Sequence, residues 1–339
     1  MNILLIQLKR IGDLILTTPA IGAVRQQFPH ASITLVVSPA CEELLPAITG
    51  VDRTLVVRGT ATDVLPWFAI LLRRFDYCFD FTRTDRSAFL TFLSHAQKRI
   101  TADHVKLRSK IRARSYSQLV PCSVRLLHTI DYHLALLAPL GVDDVQPDIC
   151  LHLPEVARRN AENLLAATGL EGEFIVIHPG SARPEKFWKA GRWGEVINHF
   201  ALERGLKCVL TGGPSAREQA HIADIKRCIT SEVADLSGRT DLLTLAAIVA
   251  RSSLLATVDS APMHFAAACG TPQVVLFGPT NPFQWRPQAS PAIILQGDSG
   301  GPVTAFNPKL AAVSMNQIST AAVINAMEAL LSAPAAPVL

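Results

Sequence analysis

The sequence predicts an α/β protein of two doubly wound parallel-sheet domains. Short apolar, often β-branched runs alternate with helix-length segments along the whole chain, the pattern of repeated βα units. The runs are apolar throughout, as strands covered on both faces have to be. The alternation restarts after a helical stretch at Pro154–Thr168, so two domains are expected, 1–153 and 154–339. A chain of 339 residues, 49% apolar and 18% charged, is long enough and apolar enough to bury two cores.

In the first domain, strands are expected at Ile3–Ile6, Ile33–Val37, Thr54–Val57, Tyr77–Phe81 and Arg99–Thr101, with helices at Ala20–Phe28 and Asp63–Arg74. In the second, strands are expected at Phe174–Ile177, Cys208–Leu210, Leu254–Val258, Val274–Phe277 and Ile293–Leu295. Helices there fit Arg192–Glu203, Ala216–Cys228, Leu242–Ala250 and Thr320–Leu331. The opening Met1–Ile6 has no basic segment and reads as a strand, not a secretion signal. The apolar stretch Val64–Leu72 is too short to span a bilayer. The seven cysteines, Cys41, Cys78, Cys122, Cys150, Cys208, Cys228 and Cys269, show no metal or disulfide spacing and are expected as reduced core residues of a cytoplasmic protein.

Two such domains facing each other leave a cleft at the carboxyl ends of their strands, so the residues just after the strands are the candidates for chemistry. After Ile6 comes QLKRIGDLILTTPA, with only Gly12 and the acid Asp13 where a nucleotide-binding turn carries a glycine-rich loop. A carboxylate repels phosphate; taken alone, Asp13 reads as a helix cap. A glycine-rich dinucleotide fingerprint is missing after either first strand, which argues against a nicotinamide oxidoreductase. After Ile177, HPGSARPEKFW offers Ser181 and Ala182, small enough for a backbone to approach phosphate, and the cation Lys186; an ordinary loop with a surface lysine reads the same. After Leu210, Gly212 and Gly213 turn into a helix whose N-terminus attracts anions or ribose hydroxyls. After Val258, DSAPMHFAAACGTP offers Asp259 and Ser260 as caps, then Ala261 and His264 in the first helical turns; a cap followed by a core histidine is the plainer alternative. After Phe277, GPTNPFQW offers Thr280. Together these four loops describe a site for a nucleotide bearing a diphosphate.

The formal net charge of +4 is unevenly spread, with eight Lys/Arg between Lys98 and Arg125 against the single acid Asp103. A solvated face fits this run, and so does a cradle for an anionic partner or a membrane surface. Nucleic acid is not expected, because Tyr116 is the one interleaved aromatic.

The blocks LLIQLKRIGDLILTTPAI, HPGSARPEKFW, LTGGPSAREQA and VDSAPMHFAAACGTPQVVLFGPTNPFQWRP, in this order and over essentially the whole chain, resemble glycosyltransferase family 9, the bacterial ADP-heptose:lipopolysaccharide heptosyltransferases. The stretch DYCFDFTRTDRSAFLTFLSHAQKRI is more similar to the heptosyltransferase III branch. Ala261 stands where the family usually has glycine, which adds a Cβ near the expected phosphate contact.

The resemblance implies the GT-B fold: two Rossmann-like domains facing a central cleft, acceptor on the first, nucleotide sugar on the second, the last helix packing back on the first. It implies inverting transfer of a heptose from ADP-heptose to the lipopolysaccharide inner core. Asp13 then matches the family's general base, and Lys186 with the Ser260–His264 helix start stabilises the leaving ADP. Ser181, Ala182, Gly212, Gly213, Asp259, Ser260, Ala261, His264 and Thr280 would line the donor. Arg10, Lys106, Arg108, Arg112 and Arg114 would meet the phosphates and carboxylates of the acceptor. No DxD motif occurs, so no metal or other cofactor is expected to be required, and Mg²⁺ is left to assist through ADP. The enzyme is expected in the cytoplasm, peripheral at the inner leaflet of the inner membrane. The alternatives are a family member that uses another nucleotide-sugar donor or a protein acceptor, and a nucleotide-sugar 2-epimerase on the same scaffold.

Overall fold

The computed structural model describes residues 1–59, 63–142, 149–170, 172–297 and 301–333, with Leu107 and Arg108 described by their backbone alone. The chain divides into two compact units, Met1–His152 and Leu153–Leu339.

The strands of the first unit are β1 (Asn2–Gln7), β2 (Ser32–Val37), β3 (Arg53–Val56), β4 (Tyr77–Asp80), β5 (Lys98–Ala102) and β6 (Gln118–Val120). They form one parallel sheet in the order β3-β2-β1-β4-β5-β6. Its helices are α1 (Ile11–Ile15), α2 (Thr18–Gln27), α3 (Val64–Leu71), α4 (Asp85–Leu93), α5 (Val105–Arg108), α6 (Lys110–Ala113) and α7 (Thr129–Ala135).

The second unit repeats the plan with β7 (Phe174–His178), β8 (Lys207–Leu210), β9 (Ala234–Asp235), β10 (Leu254–Val258), β11 (Gln273–Phe277) and β12 (Ala292–Gln296), in the order β12-β11-β10-β7-β8-β9. Its helices are α8 (Glu155–Ala166), α9 (Ala190–Asn198), α10 (Ala216–Cys228), α11 (Leu242–Arg251), α12 (Ala261–Cys269), α13 (Pro282–Trp285) and α14 (Thr320–Ser332).

Both sheets have the doubly wound order, and the expected fold class is borne out. The winding reverses between β1 and β4 in one unit and between β7 and β10 in the other, so the carboxyl ends of those pairs are the two topological switch points. The central strands β7 and β10 are buried at every position. Trp188 and Trp193 pack edge to face beside them, centroids 5.0 Å apart, and α14 adds Val323 and Met327 to the same core.

Two strands were not expected, β6 and β9, with three and two residues. Both are edge strands and only partly buried, so they carry little apolar signal. The cysteines also depart from expectation. None of the seven forms a disulfide, but Cys41, Cys78 and Cys208 are the buried ones, while Cys228 is exposed and the others are half-buried. Among the described residues no helix is long and apolar enough to cross a membrane.

Candidate active site

At the switch point of the second unit, the loops after β7 and β10 are tied by one buried ion pair. Lys186 Nζ donates to Asp259 Oδ2 at 2.6 Å and to the Asp259 carbonyl at 2.9 Å, with Lys186 only 8% and Asp259 7% exposed. Lys186 closes a short 3₁₀ turn, Pro184–Lys186, and is followed by Trp188, whose Nε1 donates to the Ile318 carbonyl at 3.0 Å. The lysine is therefore fixed from both sides, and the surface-lysine alternative does not hold.

The capping expectation at Asp259 and Ser260 is corrected. Asp259 spends its carboxylate on Lys186. Ser260 is the N-cap residue of α12, but its Oγ donates back to the Val258 carbonyl at 3.3 Å and makes no cap bond. With Pro262 in the first turn and no side-chain cap bond from Ser260, the positive end of α12 is left uncapped. Ala261 begins this helix, and His264 is buried one turn in. Ser181 is buried, its Oγ accepting from the Arg183 N–H at 3.2 Å, while Ala182 is exposed. Thr280, after β11, has an enclosed hydroxyl without a hydrogen-bond partner.

The loop after β8 holds a residue the sequence reading missed. Glu218, in the first turn of α10, turns its carboxylate back over the loop, where it accepts from Ser215 Oγ at 3.0 Å and from the Gly213 N–H at 3.4 Å. A Cβ at Gly180 would fall 2.2 Å from Glu218 Oε1, and one at Gly213 would fall 2.6 Å from Oε2, so these glycines make room for the acid. Gly212 instead leaves space for Ile222. The readable signal was the Ser215–Glu218 spacing of a capping box. A carboxylate here disfavours phosphate and favours hydroxyl donors.

At the switch point of the first unit, Asp13 lies in the first turn of α1 rather than at its N-cap, a position held by Arg10. Asp13 Oδ2 accepts from the Arg10 N–H at 3.4 Å; Oδ1 makes no hydrogen bond and has Lys9 Nζ at 3.5 Å. Thr17 braces this turn from behind. Its hydroxyl donates to the Asp13 carbonyl at 2.7 Å and accepts from Gln7 Nε2 at 2.9 Å. Burial lowers the Lys9 pKa, opposed by the Asp13 carboxylate and reinforced by the Arg83 cation.

Arg83 follows β4 and was also missed. Its φ is +65°, held by Asp80 Oδ1, which accepts from the Thr82 and Arg83 N–H groups at 2.8 and 2.9 Å. The guanidinium lies over the Tyr132 ring at 4.7 Å and against His104 at 3.0 Å, with Nε enclosed and unbonded. Lys9, Asp13 and Arg83 thus share one strand-end cluster. Of the basic run, Lys106 and Arg114 are exposed on α5 and at the end of α6, and Arg10 is exposed too. Arg112 is engaged with Asp85 at 2.5 Å and with the Arg83 carbonyl at 2.9 Å, and the side chain of Arg108 lies outside the described residues.

Each switch point also holds a buried histidine. His178 Nδ1 pairs with Thr211 Oγ1 at 3.0 Å, and His133 Nδ1 donates to the Leu16 carbonyl at 3.0 Å. Burial lowers their pKa values from 6.5 to about 4 and about 3. The neutral ring is the folded form, so this stability is complete above the unfolded value and is lost as pH falls from there toward the folded values. At pH 5 each histidine should have withdrawn about 2 kcal/mol. Melting curves between pH 7.5 and 5 should show a fall in Tm that flattens in His178→Gln and in His133→Gln; an unchanged slope in both would assign the loss to other groups.

The family model for glycosyltransferase family 9 (heptosyltransferase) matches residues 68–303. Lipopolysaccharide heptosyltransferase 3 of Escherichia coli strain K12 is 30% identical over 289 residues, covering 81% of this chain and 82% of that protein. Lipooligosaccharide heptosyltransferase 2 of Haemophilus influenzae is 25% identical over 319 residues, covering 87% and 88%. Among solved structures, a family 9 glycosyl transferase of Veillonella parvula superposes with a TM-score of 0.84 at 25% identity, over 97% of both chains. E. coli ADP-heptose lipopolysaccharide heptosyltransferase II gives 0.77 at 20% identity, over 98% of both. The expected GT-B fold, two six-stranded parallel sheets with flanking helices, is borne out.

Proposed function

Because the chain belongs to glycosyltransferase family 9, we propose that it transfers a heptose from ADP-heptose to the inner core of lipopolysaccharide with inversion at C1. An acceptor hydroxyl oxygen forms the new bond to C1, the bond from C1 to the β-phosphate oxygen breaks, and ADP leaves from the opposite face. The hydroxyl proton goes to Asp13, and the carboxylate steadies positive charge at C1 in the transition state. Charge developing on ADP is met by Lys186 and the uncapped start of α12, and the ribose hydroxyls by Glu218.

The observation that carries this reading is the buried Lys186–Asp259 pair joining the loops after β7 and β10 beside an uncapped helix start. Mg²⁺ acts, in this reading, only as a partner of ADP. Among the described residues no cluster of three or more His, Cys, Asp or Glu side chains could hold a metal. Lys106 and Arg114 serve an acceptor rich in phosphate and carboxylate, and the enzyme works at the cytoplasmic face of the inner membrane.

Calorimetry with ADP, ADP-heptose, UDP-glucose, GDP-mannose and NADH tests the donor. ADP and ADP-heptose should bind, with or without EDTA, and the other three should not. Binding of a UDP- or GDP-sugar instead would overturn the heptosyl assignment. ADP release that needs no acceptor would point to an epimerase.

A further inference from the structure

Helix α4 buries Ser87, Ala88, Leu90 and Thr91, the two hydroxyls bonded locally, yet Phe89 and Phe92 stand outward at 47% and 54% exposure. Its neighbour α3 is almost wholly apolar, yet leaves Leu65 78% and Phe68 54% exposed, with Leu72 at its end 81% exposed. The two helices meet through Trp67 and Phe89, rings edge to face at 5.9 Å, so their outward side chains belong to one surface. A helix apolar all round belongs in a core or in lipid. Of the twelve large hydrophobics exposed among the described residues, eight lie between Val64 and Ile111, which makes this a patch and not scatter.

The same stretch is strongly basic. Between Val64 and Arg114 eleven Lys/Arg stand against four Asp, although the whole chain is only +4. The short α6 is fastened to the start of α4 by Arg112 and Asp85, and presents Lys110, Arg114 and a 79% exposed Ile111.

We infer that the α3–α4 face is a docking surface for an anionic lipid bilayer. Leu65, Phe68, Leu72, Phe89 and Phe92 enter the boundary between headgroups and acyl chains, and the cations on and around α6 meet the lipid phosphates. The charge favours lipid over a second copy of the chain, since two copies meeting here would bring like charges together. The inference rests on the lipid-anchored acceptor only for its biological place. Vesicle binding is read without donor or acceptor, so its failure and a failure of heptosyl transfer are separately visible.

The test is flotation of the full chain with vesicles of phosphatidylglycerol and phosphatidylethanolamine, and with phosphatidylcholine alone. Binding should be at least about tenfold stronger to the anionic vesicles. Trp67 emission should shift to the blue and be quenched by brominated acyl chains, a signal lost in Trp67→Phe. The triple variant L65Q/L72Q/F92Q changes only residues more than half exposed, so its circular dichroism and Tm should hold. Its affinity for anionic vesicles should fall at least about tenfold. A triple variant that binds as well as the parent overturns the inference. So does a parent that dimerises through this face and is made monomeric by the triple variant.

Discussion

Asp13→Asn should lower kcat about a thousandfold, inside the 10²- to 10⁴-fold range of a positioned general base, and leave ADP-heptose affinity in place. The carboxamide keeps the shape of the side chain and can still accept from the Arg10 N–H through its oxygen. What it loses is the proton affinity and the charge. The structural effect is small by comparison: one acid fewer in a helix's first turn costs about 0.3–1 kcal/mol, and the Thr17 hydroxyl still holds the turn through the Asp13 backbone carbonyl. Tm and ADP binding should therefore be nearly those of the parent, while ADP release in the presence of acceptor collapses. If kcat stays within a few-fold of the parent, Asp13 is only the helix-stabilising acid that its bond to Arg10 already makes it.

The central strands were legible because a parallel strand buried on both faces must be apolar at nearly every position, as β7 and β10 are. The edge strands β6 and β9 were not, because they are short and partly exposed. Asp13, Lys186 and Asp259 were legible as residues because they follow strands, but their engagements were not. Sequence cannot say that Asp259 leaves the cap and takes Lys186, since that choice is made by two loops 73 residues apart. Arg83 escaped notice because nothing local marks an arginine for positive φ; Asp80 imposes it from the strand end. Glu218 escaped because a capping box accounts for it locally, and only the two glycines beneath its carboxylate show that the loop is shaped around an acid. α4 was not among the expected helices, and only the fold shows that Phe89 and Phe92 are on its outside.

Lys186→Met should weaken donor binding strongly and also destabilise the second unit, and the two effects can be separated. Removing the cation leaves the Asp259 carboxylate at 7% exposure without its partner. An uncompensated buried charge of this kind costs about 3–5 kcal/mol, which for a unit of this size lowers Tm by about 2–4 °C per kcal/mol. Pairing it with Asp259→Leu removes the stranded charge. Replacing both members of a buried ion pair with apolar side chains is often neutral or better, so the double variant should regain most of the lost Tm. Donor binding should not return with it, because the diphosphate still lacks the Lys186 ammonium; an affinity loss of about a hundredfold or more is expected in both variants. A double-mutant cycle on Tm and on ADP affinity would then give a strong coupling in the first and little in the second. Recovery of ADP affinity along with Tm would mean that the pair only shapes the loops after β7 and β10. The lysine's part would then be structural, and the diphosphate would have to be held by the uncapped start of α12 alone.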